Sequence, residues 1–178
     1  RYRLIPRVLC FVTCGDQVLL LKGAPDKRLW PGKYNGLGGH VERGESVHAA
    51  ALREIREEAG LTVHTLRLRG VLTIETGEAA GIGLFVFTAE TASLVVQPSA
   101  EGSLHWVTLG QLPELELVED LPRLLPYVLA LPPEALLRDP LRPPGRHRRR
   151  GRRPSDAPCL PDYLPAAESS RSPFPERD

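Results

Sequence analysis

The sequence predicts an α/β fold in which a mixed β-sheet lies between helices. Three observations point there. Apolar, β-rich runs at residues 7–13 and 17–22 are nearly continuous, as in strands covered on both faces, and residues 82–88 add a further strong strand. Residues 46–59 combine helix-forming composition with signals for both helix ends. Strands mixed with this helix and a second one at residues 120–131 suit a sheet sandwiched between helices.

Taken in order, residues 7–13 (RVLCFVT) and 17–22 (QVLLLK) read as a hairpin about the turn Cys14-Gly15-Asp16. Residues 23–34 form a loop, broken by Pro25, Pro31 and Gly32. Asn35-Gly36 is a turn signal in its own right. In the helix that follows, Ser46 is the expected N-cap, and Gly60 suits the left-handed residue that ends a helix. Residues 62–66 and 70–76 read as strands, and residues 77–81 as a flexible connection. Residues 82–88 (IGLFVFT) form a strong strand with Phe85 and Phe87 on one face. Residues 93–98 and 104–109 read as weaker strands, separated by a polar loop holding Glu101. A short helix or turn starts at Gly110. The second helix has Asp120 as N-cap and Pro122 in its first turn, while Pro126 would kink it or shift its start.

The first helix carries the chemistry. At 100° per residue, Ala51, Leu52, Ile55 and Ala59 share the expected core face. Glu54, Glu57 and Glu58 lie beside it, spaced as surface neighbours. Three carboxylates held together repel one another, and a divalent cation relieves that repulsion. Mg²⁺ suits them because it takes hard oxygen ligands and keeps positions for water and phosphate. Arg53 is placed to hold or orient one of the glutamates. An REIREE run alone is equally what a solvated acidic helix face looks like. Gly38-Gly39 shift the balance, since a glycine pair before the helix lets backbone approach a ligand closely.

The stretch from Gly39 to Leu61 resembles the Nudix box, G-x5-E-x7-R-E-U-x-E-E-x-G-U with U apolar, at every specified position. That resemblance implies a Nudix-type α/β/α sandwich and Mg²⁺-assisted attack of water on a nucleoside diphosphate linked to a group X, with Mn²⁺ able to substitute. It implies that Glu54, Glu57 and Glu58 hold the metal, joined by the Gly39 carbonyl. Arg53 would orient a glutamate, and Glu45 would support the loop–helix junction. An acidic residue outside the box often completes such sites. Glu101 is the candidate, with an ordinary loop carboxylate as the alternative.

Around the box, the segment from Trp30 to Gly39 resembles the MutT-like branch that hydrolyses oxidised purine nucleoside triphosphates. By that resemblance Asn35 contacts the base, and amides near Gly38 and Gly39 meet phosphate. An ungapped match from His105 to Pro113 aligns Glu101 with the outer metal-site glutamate. It also aligns Asp120 with the first of two aspartates that read the purine edge. The chain departs from that pattern at Leu121, where the second aspartate would stand, and at Val118, where a stacking tryptophan would. Glu119 precedes Asp120 and would point about 100° away on a helix. Asp120 therefore reads either as a purine contact or as a plain N-cap.

The expected activity is Mg²⁺-dependent hydrolysis of nucleoside triphosphates, oxidised 8-oxo-dGTP-like ones among them, to monophosphate and pyrophosphate, as in nucleotide-pool cleaning. The resemblance equally admits ADP-ribose, a dinucleoside polyphosphate or an RNA 5′ end. A non-catalytic nucleotide sensor is the rival of another class, and the intact glutamates argue against it.

Composition divides the chain. Residues 1–132 carry 13 Lys and Arg against 15 Asp and Glu and form the expected catalytic domain. Residues 133–178 carry 10 against 7 and hold 10 of the 18 prolines, so a disordered tail is expected. Its basic block, RHRRRGRR from Arg146 to Arg153, is either a weak nucleic-acid tether or a solvated segment. Three sparse cysteines, Cys10, Cys14 and Cys159, argue against a disulfide framework and fit a reducing, cytoplasmic setting. No secretory signal or membrane-length apolar run is present. The chain opens on Arg1 and contains no Met, so its natural start is expected upstream. Oligomeric state is not legible.

Overall fold

A computed structural model describes residues 1–27 and 30–137. β1 (Arg3–Cys14) runs parallel to β5 (Ala80–Glu90) along nearly its whole length, from Arg3 beside Ala80 to Thr13 beside Glu90. β4 (Thr65–Ile74) is antiparallel to β5 on the outer side. β2 (Gln17–Gly23) returns from the Cys14–Gln17 turn, and β6 (Gly102–Thr108) lies antiparallel along it. The two-residue β3 (Tyr34–Asn35) pairs with Leu21 and Lys22. The result is a six-stranded mixed sheet.

Alternating residues of β1 enter two separate cores. Leu9 and Phe11 face the helix α2 (Leu121–Ala130), packing with Ile82, Leu84, Leu124, Leu125 and Val128. Val8, Cys10 and Val12 face the helix α1 (Val47–Ala59), packing with Ala50, Ala51, Ile55 and Ala59. Both faces of the strand are covered, which is why its sequence is apolar without alternation. The expected α/β architecture with helices on both sides of the sheet is the observed one.

Helix α1 has the expected ends. The Ser46 hydroxyl accepts the Ala49 N–H at 3.1 Å, and Gly60 closes the helix at φ 67°. Its core face differs in one member: Ala50 is fully buried, whereas Leu52 is half-buried. Asp120 stands at the N-cap position of α2, but its side chain makes no capping hydrogen bond. Pro126 sits inside α2 without breaking it, because Leu121, Leu124, Leu125 and Val128 anchor the helix in the core.

Two strand expectations are corrected. Residues 62–66 and 70–76 are not separate strands. β4 is one strand with a bulge between Leu68 and Gly70 that absorbs the extra residue. The bulge turns Arg69 inward, where its guanidinium donates to the carbonyls of Leu131, Pro132 and Pro133 at 2.8–3.0 Å beyond the end of α2. Residues 93–98 form no strand. They join no ladder: a single backbone bond runs from Gln97 N–H to the Ala59 carbonyl, Trp106 Nε1 donates to the Leu94 carbonyl, and Val95 is 81% exposed. The sequence from Arg146 to Arg153 and Cys159 lies outside the described residues. Among the described residues no helix is long and apolar enough to cross a membrane.

Candidate active site

The site is built where β1 and β2 diverge. They pair only near their shared turn, from Val12 to Cys14. Residues 34–41 fill the gap that opens beyond it. Cys10 N–H donates to Leu37 O at 2.7 Å, Val8 N–H to Gly39 O at 2.9 Å, and Val41 N–H to Pro6 O at 3.1 Å. This wedge brings Gly38 and Gly39 against α1. Gly38 has φ +147°, and its N–H donates to Glu58 Oε2 at 2.8 Å. A Cβ on Gly39 would lie 2.3 Å from Glu54 Oε1, so the absent side chain is what lets that carboxylate approach the backbone.

Arg53 organises the helix side. Its guanidinium donates to Glu45 at 2.8 Å, Glu54 at 2.9 Å, Glu57 at 3.0 Å and the His40 carbonyl at 3.0 Å. Glu45 also accepts the Glu42 N–H at 2.7 Å, joining the loop to the helix. The Arg53 hydrogen bond, then that backbone bond, holds the Glu45 carboxyl below its ordinary range.

The structure thus gathers Gly38, Gly39, Glu45, Arg53, Glu54, Glu57 and Glu58. Glu101 reaches the same pocket from the turn before β6, where it pairs with Lys27. Among the described residues, no three His, Cys, Asp or Glu side chains already converge on a metal-sized point. Glu57 is held by Arg53, Glu101 by Lys27, and Glu58 by the Gly38 amide. The carboxylates nevertheless act on one another. Burial raises Glu54, aided by the charges of Glu57 and Glu101. Burial pushes Glu58, only 6% exposed, up to about 8, aided by Glu54 and Glu101. An all-oxygen donor set with mutually repelling charge fits a hard divalent cation such as Mg²⁺.

Beside these carboxylates is a pocket of about 140 Å³ lined by Arg7, Lys27, Lys33 and Asn35 among others. Asn35 also borders a small apolar cleft formed by Leu9, Leu72, Leu84 and Val118, with Asp120 at its edge. Glu58, Glu101 and the three cations therefore share one pocket, and Asn35 connects it to the apolar cleft that Asp120 also lines. Asn35 Oδ1 accepts the Gly36 N–H at 2.8 Å, so it also shapes the turn. Burial, then Glu119, raises the Asp120 carboxyl. Sequence reasoning missed Arg7, Lys27 and Lys33 as groove residues. Arg7 lies on β1 while Lys27 and Lys33 share the loop after β2, and no local pattern marks the three as neighbours. A larger cavity of about 320 Å³ at Thr13, Gln17, Arg69 and Val128 contains none of the site residues.

A family profile described as NUDIX domain matches residues 3–128. The chain is 38% identical over 115 residues to the NAD-capped RNA hydrolase NudC of Pseudomonas aeruginosa, covering 64% of this chain and 39% of that protein. It is 35% identical over 95 residues to the oxidized purine nucleoside triphosphate hydrolase of Danio rerio, covering 53% of this chain and 61% of that protein. The chain thus spans about two fifths of the length of the NudC relative. The fold superposes on a mutator MutT protein from Bacillus halodurans with a TM-score of 0.63 and 28% identity, over 75% of this chain and 86% of that one. With the box residues gathered at the mouth of α1 and the profile spanning the sheet and both helices, the chain belongs to the NUDIX family.

Proposed function

We propose that the chain is a divalent-metal-dependent pyrophosphohydrolase that splits nucleoside triphosphates, oxidised purine ones among them, to monophosphate and pyrophosphate. The observation that carries this reading is the groove itself. Glu58 and Glu101 share one pocket with the cations Arg7, Lys27 and Lys33, and Asn35 links that pocket to an apolar cleft, so groups suited to metal, phosphates and base adjoin one another.

Glu54, Glu57 and Glu58, with the Gly39 carbonyl and Glu101, would hold the metal. Bound there, Mg²⁺ supplies charge neutralisation at phosphorus and lowers the pKa of water. The Gly39 carbonyl has a second lone pair beyond the one engaged by Val8. Arg53 fixes the directions of Glu54 and Glu57. Arg7, Lys27 and Lys33 attract phosphate oxygens and orient the chain of phosphates. Asn35 and Asp120 offer polar contacts to a base laid across the mouth of the apolar cleft.

Glu58 gives the reading a pH signature. Its folded-state value of about 8 lies above the ordinary carboxylate value of 4.5, so folding favours the protonated form. That contribution to stability is complete below about 4.5 and is lost as pH rises through about 8. Without added metal, the Tm is therefore expected to fall across this window. Stabilisation by Mg²⁺ should grow over the same window, as the carboxylate it needs becomes available. Differential scanning fluorimetry at stepped pH checks both, and Glu58→Gln should flatten both trends.

Substrate preference is tested by a panel of dGTP, 8-oxo-dGTP, other dNTPs, ADP-ribose, a dinucleoside polyphosphate and 5′-capped or triphosphorylated RNA. Highest kcat/KM on 8-oxo-dGTP supports the reading. Preference for RNA ends would instead favour a NudC-like activity, the reading that the similarity to that relative supports. Within the panel, Asn35→Ala should raise KM for purine nucleotides roughly five- to tenfold, the scale of one hydrogen bond, and affect pyrimidines less. Equal effects would reduce Asn35 to a turn residue.

A further inference from the structure

We propose that Lys27 is a built-in counter-cation for Glu101 that exchanges onto phosphate when a polyphosphate enters, freeing Glu101 to join the metal site. This inference rests on the pyrophosphohydrolase reading above. The Lys27 ammonium is paired with the Glu101 carboxylate, and both line the pocket that contains Glu58, Arg7, Lys33 and Asn35.

The backbone fixes the two residues relative to each other. Ala24 N–H donates to the Glu101 carbonyl at 3.1 Å, and Lys27 N–H to the Ala24 carbonyl at 3.1 Å. Next to Glu101, Gly102 sits so close that a Cβ there would be 2.0 Å from the Lys22 carbonyl oxygen. With both turns anchored, the pair is made and broken by side-chain rotation alone. Its partners are 32% and 52% exposed, so water competes with the contact and exchange is easy. An ammonium on a four-carbon stem is a mobile point charge that suits a phosphate oxygen as well as a carboxylate.

The exchange makes metal and polyphosphate help one another bind. While Lys27 neutralises Glu101, the acidic end has one fewer free carboxylate for a cation. Once Lys27 swings to phosphate, that carboxylate is released, and the coupling is reciprocal. The pocket would therefore take a metal–polyphosphate complex in preference to either component alone.

The test is a Mn²⁺ titration of the full chain, followed by electron paramagnetic resonance, together with calorimetric binding of inorganic pyrophosphate in the presence of Mn²⁺. Lys27→Met should tighten Mn²⁺ alone by about two- to fivefold, the scale of one exposed ion pair. It should also weaken pyrophosphate binding. The Mn²⁺ gain should vanish in a Glu101→Gln background, and Lys27→Arg should restore wild-type behaviour in both titrations. Unchanged or weaker Mn²⁺ binding in Lys27→Met overturns the proposal. So does an equal gain in the Glu101→Gln background, which would mark a general charge effect, or pyrophosphate binding that does not change. These readouts are independent of turnover. An inactive wild-type chain with the full Mn²⁺ pattern would overturn the nucleotide-hydrolysis reading alone. An active one with a flat titration would overturn the Lys27 exchange alone.

Discussion

Glu57→Gln is expected to lower kcat by about two to three orders of magnitude while leaving the fold intact. The substitution keeps size and shape and removes one negative charge. A metal that neutralises transition-state charge contributes several kcal/mol, and each tenfold in rate corresponds to about 1.4 kcal/mol. The Glu57 side chain is 59% exposed and pairs with Arg53, so little packing is at stake. Losing an exposed ion pair of this kind costs on the order of 0.5 kcal/mol. Steady-state kinetics at saturating Mg²⁺, with a thermal melt alongside, separates the two effects. Near-normal turnover would remove Glu57 from the metal set.

Gly38→Ala is expected to damage the fold itself. At φ +147° an L-residue is strained, and its Cβ would stand 2.1 Å from the Val8 carbonyl oxygen and 2.9 Å from the Val8 carbonyl carbon. Those atoms belong to β1, the strand that both cores pack against, and they cannot yield without disturbing its pairing with β5. A loss of about 3 kcal/mol or more is expected, with Tm lower by about 10 °C or more. The neighbouring glycine provides the control. A Cβ on Gly39 meets the carboxylate end of Glu54, which can rotate away. Gly39→Ala should therefore fold nearly as well as wild type but lose activity, because Glu54 is displaced. Urea denaturation and turnover measured on both variants check this opposition. Equal stability of the two would mean that the wedge between β1 and β2 is softer than described.

Local chemistry was readable. Ser46 and Gly60 mark the ends of α1 because capping depends on a few consecutive residues. The continuous apolar runs of β1 and β2 announce burial on both faces, and both strands enter both cores. Non-local geometry was not. Glu58 was placed beside the core face, but its burial depends on the 34–41 segment wedged against β1, which helical periodicity cannot reveal. The β-branched pair Val95-Val96 imitates a strand, yet residues 93–98 join no ladder and Val95 is 81% exposed. The inward turn of Arg69 required the bulge in β4. Asn35 and Asp120 were linked in the sequence through family resemblance alone, and their meeting at one cleft is a tertiary fact. Arg7 on β1 meets Lys27 and Lys33 of the loop after β2 only in the folded chain, and the three were missed for the same reason.

Metal-dependent cleavage of a nucleotide phosphoanhydride is expected at the pocket that holds Glu58 and Glu101. The most direct measurement is product analysis on 8-oxo-dGTP and dGTP, quantifying pyrophosphate and inorganic phosphate with Mg²⁺ present and with Mg²⁺ chelated. The expected products are monophosphate and pyrophosphate, abolished by chelation and by Glu57→Gln, with 8-oxo-dGTP the better substrate. Chelation-resistant turnover, or full activity in Glu57→Gln, would contradict it.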